Sequence, residues 1–236
     1  MSNPYFQFKQ FTVWHDKCAM KVGTDGVLLG AWASVRNAHK ILDVGTGTGL
    51  VALMLAQRSL PDADIVALEI DKAAAGQAGE NVARSPWKER IEVVQADFRN
   101  YQSSDKFDVI VSNPPYFVDS LECPDQQRNA ARHNDSLTYE ELLEGVAGLL
   151  AEDGAFTIVI PTDVADRVKM IATAKNLYAV RQLNVITKPG GIPKRTLITF
   201  TFSNQECVVE ELLTELARHQ YSEEYIALTR EYYLNM

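Results

Sequence analysis

The chain has 236 residues, 46% of them hydrophobic, and a formal net charge of −8. Such a length supports one large α/β domain with a buried core, while the acidic balance argues against a protein that coats nucleic acid indiscriminately. No apolar run approaches membrane-spanning length. Met1-Ser2-Asn3-Pro4-Tyr5 lacks the charged-then-apolar order of an export signal, and Cys18, Cys123 and Cys207 show no metal-ligand spacing. Reduced thiols, a cytoplasmic location, no membrane association and no bound metal are therefore expected.

In chain order, Phe6, Phe8, Phe11 and Val13 alternate loosely and predict a short strand or hairpin packed on the core. Gly23 and Gly26 flank Thr24-Asp25, a polar pair suited to capping a helix through Val27, Leu28, Leu29, Ala31 and Trp32. His39–Val44 reads as a buried strand and runs into Gly45-Thr46-Gly47-Thr48-Gly49, then an apolar helix from Leu50 to Gln57. Glycines allow a tight turn and close approach of backbone to a ligand. Asp43 would repel a phosphate there, and no Lys-Ser or Lys-Thr follows the last glycine, which argues against a phosphate-binding loop and for a cationic or neutral ligand.

Asp64–Glu69 is the next strand, ending on a carboxylate that can accept both hydroxyls of a ribose. Asp71–Arg84 has helical composition. Ile91–Phe98 is a third strand ending in an acid and an aromatic, and Phe107–Ser112 a fourth. The fourth stops at Asn113-Pro114-Pro115-Tyr116. Proline cannot continue a ladder and restricts its predecessor, so by itself this is a turn. Placed after three strands with acids at or near their ends, it becomes a candidate site.

Residues 118–135 are polar and irregular, a candidate substrate loop carrying Arg128, Arg132 and His133. A helix beginning near Ser136, a strand Ala155–Ile160 and a helix Asp163–Lys175 follow. Val180–Thr187 and Thr196–Phe202 predict a hairpin around the basic loop Lys188–Arg195, and Ser222–Leu234 a closing aromatic helix. Basic residues cluster before Lys40 and from Arg181 to Arg195, whereas the tail after Gln205 is acidic. With no repeat or linker, residues 1–236 are expected to form a single domain, residues 1–40 being an N-terminal extension packed on it.

Alternating strands and helices predict a Rossmann-like doubly wound sheet whose ligand-facing turns converge at the strands' carboxyl ends. Asp43–Gly49, Glu69, Asp97-Phe98 and Asn113–Tyr116 resemble the successive motifs of the class I S-adenosylmethionine-dependent methyltransferases. The Asn-Pro-Pro-Tyr form is similar to that of enzymes methylating adenine N6, guanine N2 or a glutamine amide. Phe8–Phe11 and Lys21–Trp32 narrow the resemblance to bacterial tRNA (adenine-N6) methyltransferases acting at adenosine 37 of a valine tRNA, and it extends to the closing aromatic helix.

This resemblance implies a seven-stranded sheet with an antiparallel C-terminal hairpin strand, S-adenosyl-L-methionine as methyl donor, tRNA as partner and no obligate protein partner. It places Thr24, Asp43, Gly45, Gly47, Gly49, Glu69, Asp97, Phe98 and Asn113 at the donor. Asn113, Pro114 and Tyr116 would act on the amine. Lys21, Arg128, Arg132, Lys188, Lys194 and Arg195 are the candidate RNA contacts. Four other readings stay open: a release-factor glutamine methyltransferase, a ribosomal guanine-N2 enzyme, a nicotinamide dehydrogenase and a non-catalytic RNA-binding module.

Overall fold

A computed structural model describes residues 3–18, 21–115, 137–218 and 220–235. Residues alternating between two faces of a strand must be buried twice when helices cover both sides. The strand Lys40–Val44 (β3) shows this directly. Ile41 packs into one hydrophobic cluster, and Leu42 and Val44 pack into the other. The same alternation recurs in Phe107–Ser112 (β6), where Val109 and Val111 face the first cluster and Ile110 the second.

The chain begins with a hairpin, Tyr5–Gln7 (β1) and Thr12–Trp14 (β2), followed by the helix Thr24–Trp32 (α1). After β3 come Leu50–Arg58 (α2), Asp64–Glu69 (β4), Lys72–Ala83 (α3), Ile91–Gln95 (β5) and then β6. The second half holds Tyr139–Leu149 (α4), Leu150–Pro161 (β7), Ala165–Thr173 (α5), Tyr178–Ile186 (β8) and Arg195–Thr201 (β9). Val208–Leu213 (β10), the small pair Glu215–Ala217 (β11) and Gln220–Tyr221 (β12), and Glu223–Thr229 (α6) close the described chain.

The main sheet has the order β10-β8-β9-β7-β6-β3-β4-β5. Strands β3, β4, β5, β6 and β7 run parallel, and β9 is inserted antiparallel between β7 and β8. The chain winds one way from β3 to β5 and the other way from β6 to β7. The reversal lies between β3 and β6, where ligands of doubly wound sheets bind. There Val44 pairs with Ser112, so the glycine turn and Asn113 leave the sheet side by side.

Several boundaries differ from expectation. The sheet has eight strands, because β10, read as an acidic tail, adds parallel to β8. Its Val208, Val209, Glu210 and Glu211 are all exposed, so it lacks the apolar alternation that marks a half-buried strand. Helix α1 has Gly23 at its N-cap with no side-chain cap, so Thr24 and Asp25 are first-turn residues. Helix α4 is capped by Thr138, whose hydroxyl accepts from the Glu141 amide while Glu141 reaches back to the Thr138 amide; Ser136 lies outside the described residues. Helix α6 ends at Thr229, leaving Tyr232 and Tyr233 beyond it. There Lys9 N donates to Tyr232 O, and Phe8 bridges Tyr233, joining the two ends of the chain.

Candidate active site

The carboxyl ends of β3, β4, β5 and β6 open onto one cavity of about 310 Å³. Gly45 (φ 73°) and Gly47 (φ 57°) form its floor in a left-handed backbone that other residues adopt only with strain. A Cβ at either glycine would meet nothing within 4 Å and would project into open space above the turn. Gly49 also has positive φ but does a different job: it starts α2 and lets Ala78 of α3 approach, a Cβ there standing 3.4 Å from the Ala78 Cβ.

Glu69 ends β4 inside this cavity. Gly47 N donates to its Oε2 at 2.9 Å and Asp71 N to its Oε1 at 3.0 Å. The carboxylate is therefore fixed by backbone amides, while each oxygen keeps a lone pair for a ligand hydroxyl. Asp97 and Phe98 also line the cavity. Asp97 is engaged by Arg99, whose Nε donates to both carboxylate oxygens and whose Nη2 lies 2.7 Å from Oδ2. The guanidinium hydrogen bonds, with the Arg99 amide and charge, hold the Asp97 pKa below the ordinary carboxylate value.

Asp43 sits beneath the turn rather than in the cavity wall. It is 1% exposed, and its Oδ2 accepts from the Thr46 hydroxyl at 2.6 Å and the Ala52 amide at 3.1 Å. Burial pushes its pKa up to about 7 against the pull of those two bonds. The place assigned to it at the donor's amino-acid end becomes a supporting one: it ties the turn to the first residues of α2.

Asn113 and Pro114 reach the cavity from β6, with Ser112 Oγ donating to Val44 O to clamp the two strand ends together. The start of α1 lies against Asn113, since a Cβ at Gly26 would stand 3.8 Å from its Nδ2 and 3.0 Å from a Leu50 methyl. Tyr116 and the whole candidate substrate loop, residues 118–135 with Arg128, Arg132 and His133, are outside the described residues.

Thr24 faces a second, larger groove instead of the glycine turn. Asp25 beside it accepts from Arg195 Nε at 2.9 Å, which joins the first turn of α1 to β9. Lys194 and Arg195 line that groove; Lys21 and Lys188 are exposed and do not line it.

Three features escape sequence reading. Arg99 enters this cavity two residues after an acid, with no local pattern to mark it. Ile70 is 52% exposed at the cavity's edge, and an apolar residue directly after an acid-ended strand is a usable signal for a ligand face. Asn81 is almost fully buried in α3; its Nδ2 donates to Thr48 O and Trp14 O while its Oδ1 accepts from Trp14 N, tying hairpin and glycine turn together.

Comparison with known proteins adds the family. Residues 21–186 match the methyltransferase small domain. A tRNA1(Val) (adenine(37)-N6)-methyltransferase of Bacteroides thetaiotaomicron is 81% identical over 236 residues, covering all of both chains. The chain belongs to the tRNA1(Val) (adenine(37)-N6)-methyltransferase family. A member of this family from Aeromonas hydrophila is still 47% identical over 99% of each chain. Among solved structures, a predicted O-methyltransferase of Agrobacterium tumefaciens aligns with a TM-score of 0.68 at 20% identity, covering 90% of this chain and 100% of that one. A tRNA m1G37 methyltransferase of M. jannaschii aligns at 0.60 and 13% identity, covering 85% and 57%. At such identities these two structures carry the fold alone, a class I methyltransferase sheet.

The cavity fits the family's methyl donor, S-adenosyl-L-methionine. Its floor is a glycine cradle that side chains would fill, and Glu69, Asp71 and Asp97 line it. Such a donor set favours hydroxyls, amines and positive charge and repels phosphate.

Proposed function

We infer that this protein transfers a methyl group from S-adenosyl-L-methionine to the N6 amine of adenosine 37 in tRNA1(Val). The observation that carries this reading is the place of Asn113-Pro114 beside the glycine turn at the sheet's switch point, in a chain of this family. The donor, when bound, supplies a methyl group already activated on a sulfonium. The protein's own task is to orient an exocyclic amine and accept its hydrogens. The Asn113 amide oxygen and the Pro114 carbonyl are assigned to those hydrogens, drawing the nitrogen lone pair out of conjugation as positive charge develops. Preorganised bonds of this kind contribute roughly 3 kcal/mol each, and alignment contributes more.

Glu69 is assigned to the ribose hydroxyls. Gly45 and Gly47 face the amino-acid end from below, with Asp43 holding the turn. Asp97 and the Phe98 amide are assigned to the adenine, with Arg99 keeping Asp97 ionised. Tyr116 is assigned to stacking on the target base. A single domain is supported by one continuous sheet with packed residues on both faces. A cytoplasmic location accords with a tRNA substrate; no described helix is long and apolar enough to cross a membrane.

Incubation of the protein with labelled donor and unmodified tRNA1(Val) transcript, followed by mass spectrometry of the nucleosides, tests the reading. N6-methyladenosine at position 37 is expected. N2-methylguanosine, or transfer only to a glutamine peptide, would replace it.

A further inference from the structure

The second groove has a volume of about 850 Å³, well over twice that of the donor cavity. The two ends of the chain build it together: β1 supplies Tyr5 and Phe6, and the C-terminal segment supplies Tyr221 and Tyr233. Lys194 enters from the end of the β8–β9 loop and Arg195 from the first position of β9. We propose that this groove is a stacking subsite for an unpaired nucleotide next to the target adenosine, its base against the rings and its phosphate at Lys194. The proposal rests on the RNA reading above and locates where that RNA is gripped.

Placement is the first argument. Arg195 pairs with Pro161 across β7 and β9, and Pro161 ends a strand parallel to β6. The basic loop therefore stands at the same sheet edge as Asn113. Thr24 and Asp25 wall the groove, and the next residue, Gly26, lies against Asn113. A strand with one base at Asn113 would lead its neighbour into this groove.

The lining is the second argument. Phe6 and Tyr221 remain 36% and 38% exposed although each is braced by another ring, Phe6 by Phe8 at 4.8 Å and Tyr221 by Tyr225 at 5.3 Å. Exposed aromatic faces held in place offer a stacking platform with little ordering left to do. Such platforms tolerate any base, which suits a flanking position.

Charge is the third. Two carboxylates share the groove, Asp25 and Glu215. Asp25 is neutralised by Arg195. Glu215 lies across the β11–β12 ladder from Tyr221, where it can accept a base amine rather than oppose a phosphate. Lys194 makes no ion pair among the described residues, so its ammonium is available to a phosphate.

The test measures binding of the unmodified anticodon stem-loop of tRNA1(Val) by fluorescence anisotropy, with donor affinity by calorimetry as control. The double variant Phe6→Ala with Tyr221→Ala is expected to lose roughly tenfold or more in RNA affinity with donor affinity unchanged. Lys194→Gln is expected to weaken binding and flatten the salt dependence by about one unit of log–log slope. On the wild-type protein, replacing one loop nucleotide beside the target by an abasic residue should cost a similar factor, and the ring variant should no longer feel that replacement. RNA affinity within about twofold of wild type in both protein variants overturns the proposal. If the ring variant does not fold, the abasic series and Lys194→Gln decide, and indifference of the wild-type protein to every abasic replacement overturns it. Failure of the functional reading is separate: the wild-type protein would then form no N6-methyladenosine in this RNA.

Discussion

The donor cavity and the larger groove lie at one edge of the molecule but are made in opposite ways. The cavity is small, floored by backbone, and framed by residues at or just past strand ends: Gly45, Glu69, Asp97 and Asn113. The groove is large, walled by side chains, and assembled from segments separated by most of the chain. A site made of strand-end turns is rigid because every turn is fixed by its sheet register, as when Gly45 and Thr46 donate to Leu68 O. A site made of braced ring faces and cations accepts any base and its phosphate, which suits an RNA strand better than a single small molecule. The contrast predicts where substitutions should separate chemistry, donor binding and stability.

The largest effect is expected at Asn113. Asn113→Ala should lower kcat by about 100- to 1000-fold while donor affinity holds, because a bond made chiefly at the reacting amine is lost. Single-turnover methylation beside a calorimetric titration reads both, and near-normal turnover would sink the role given to this amide.

Next comes Glu69. Glu69→Ala removes a carboxylate already aimed by two backbone amides. Hydrogen bonds to a charged group contribute about 1.5–3 kcal/mol, so donor affinity should fall roughly 10- to 100-fold with RNA affinity unchanged. An unaltered donor Kd would take Glu69 out of the site.

Asp43 sharpens the comparison through pH. Its folded pKa of about 7 lies above the ordinary 3.8, so the folded chain holds a proton that the unfolded chain has released. That contribution to stability is fully present below about pH 4 and is lost as pH rises through about 7. Asp43→Asn should remove roughly 2 kcal/mol of the decline between about pH 5 and pH 8, read from urea unfolding at each pH. An equally steep decline in the variant would show that another group carries it.

The smallest effect is expected far from either site. Thr138→Ala breaks the capping box of α4 and should cost about 1 kcal/mol of stability. Thermal unfolding should register the loss while donor affinity stays put.

Much of the donor cavity was legible because strand-end turns are local in sequence. Glu69, Asp97 and Asn113 each close a short apolar run, and the periodicity that marks the run also marks its end. Arg99 was not legible, because nothing local distinguishes a guanidinium folded back on an acid from one in solvent. Nor was the groove at Thr24 legible: it is lined by segments from both ends of the chain, and its Asp25–Arg195 ion pair spans most of the chain, which no spacing rule reports. β10 was missed because, at the sheet's margin, it is held by backbone bonds to β8 rather than by a buried face.

By itself the sequence determined the doubly wound fold, the glycine cradle with its acid-ended strands, and the proline turn at Asn113. Those are consequences of hydrophobic period and turn chemistry over a few residues. Only the tertiary structure decided that Asp43 supports the turn from beneath, that Arg99 holds Asp97, and that the chain's two ends meet in an aromatic groove beside Asn113. These are contacts between distant segments, set by strand order and packing, and no local pattern encodes them.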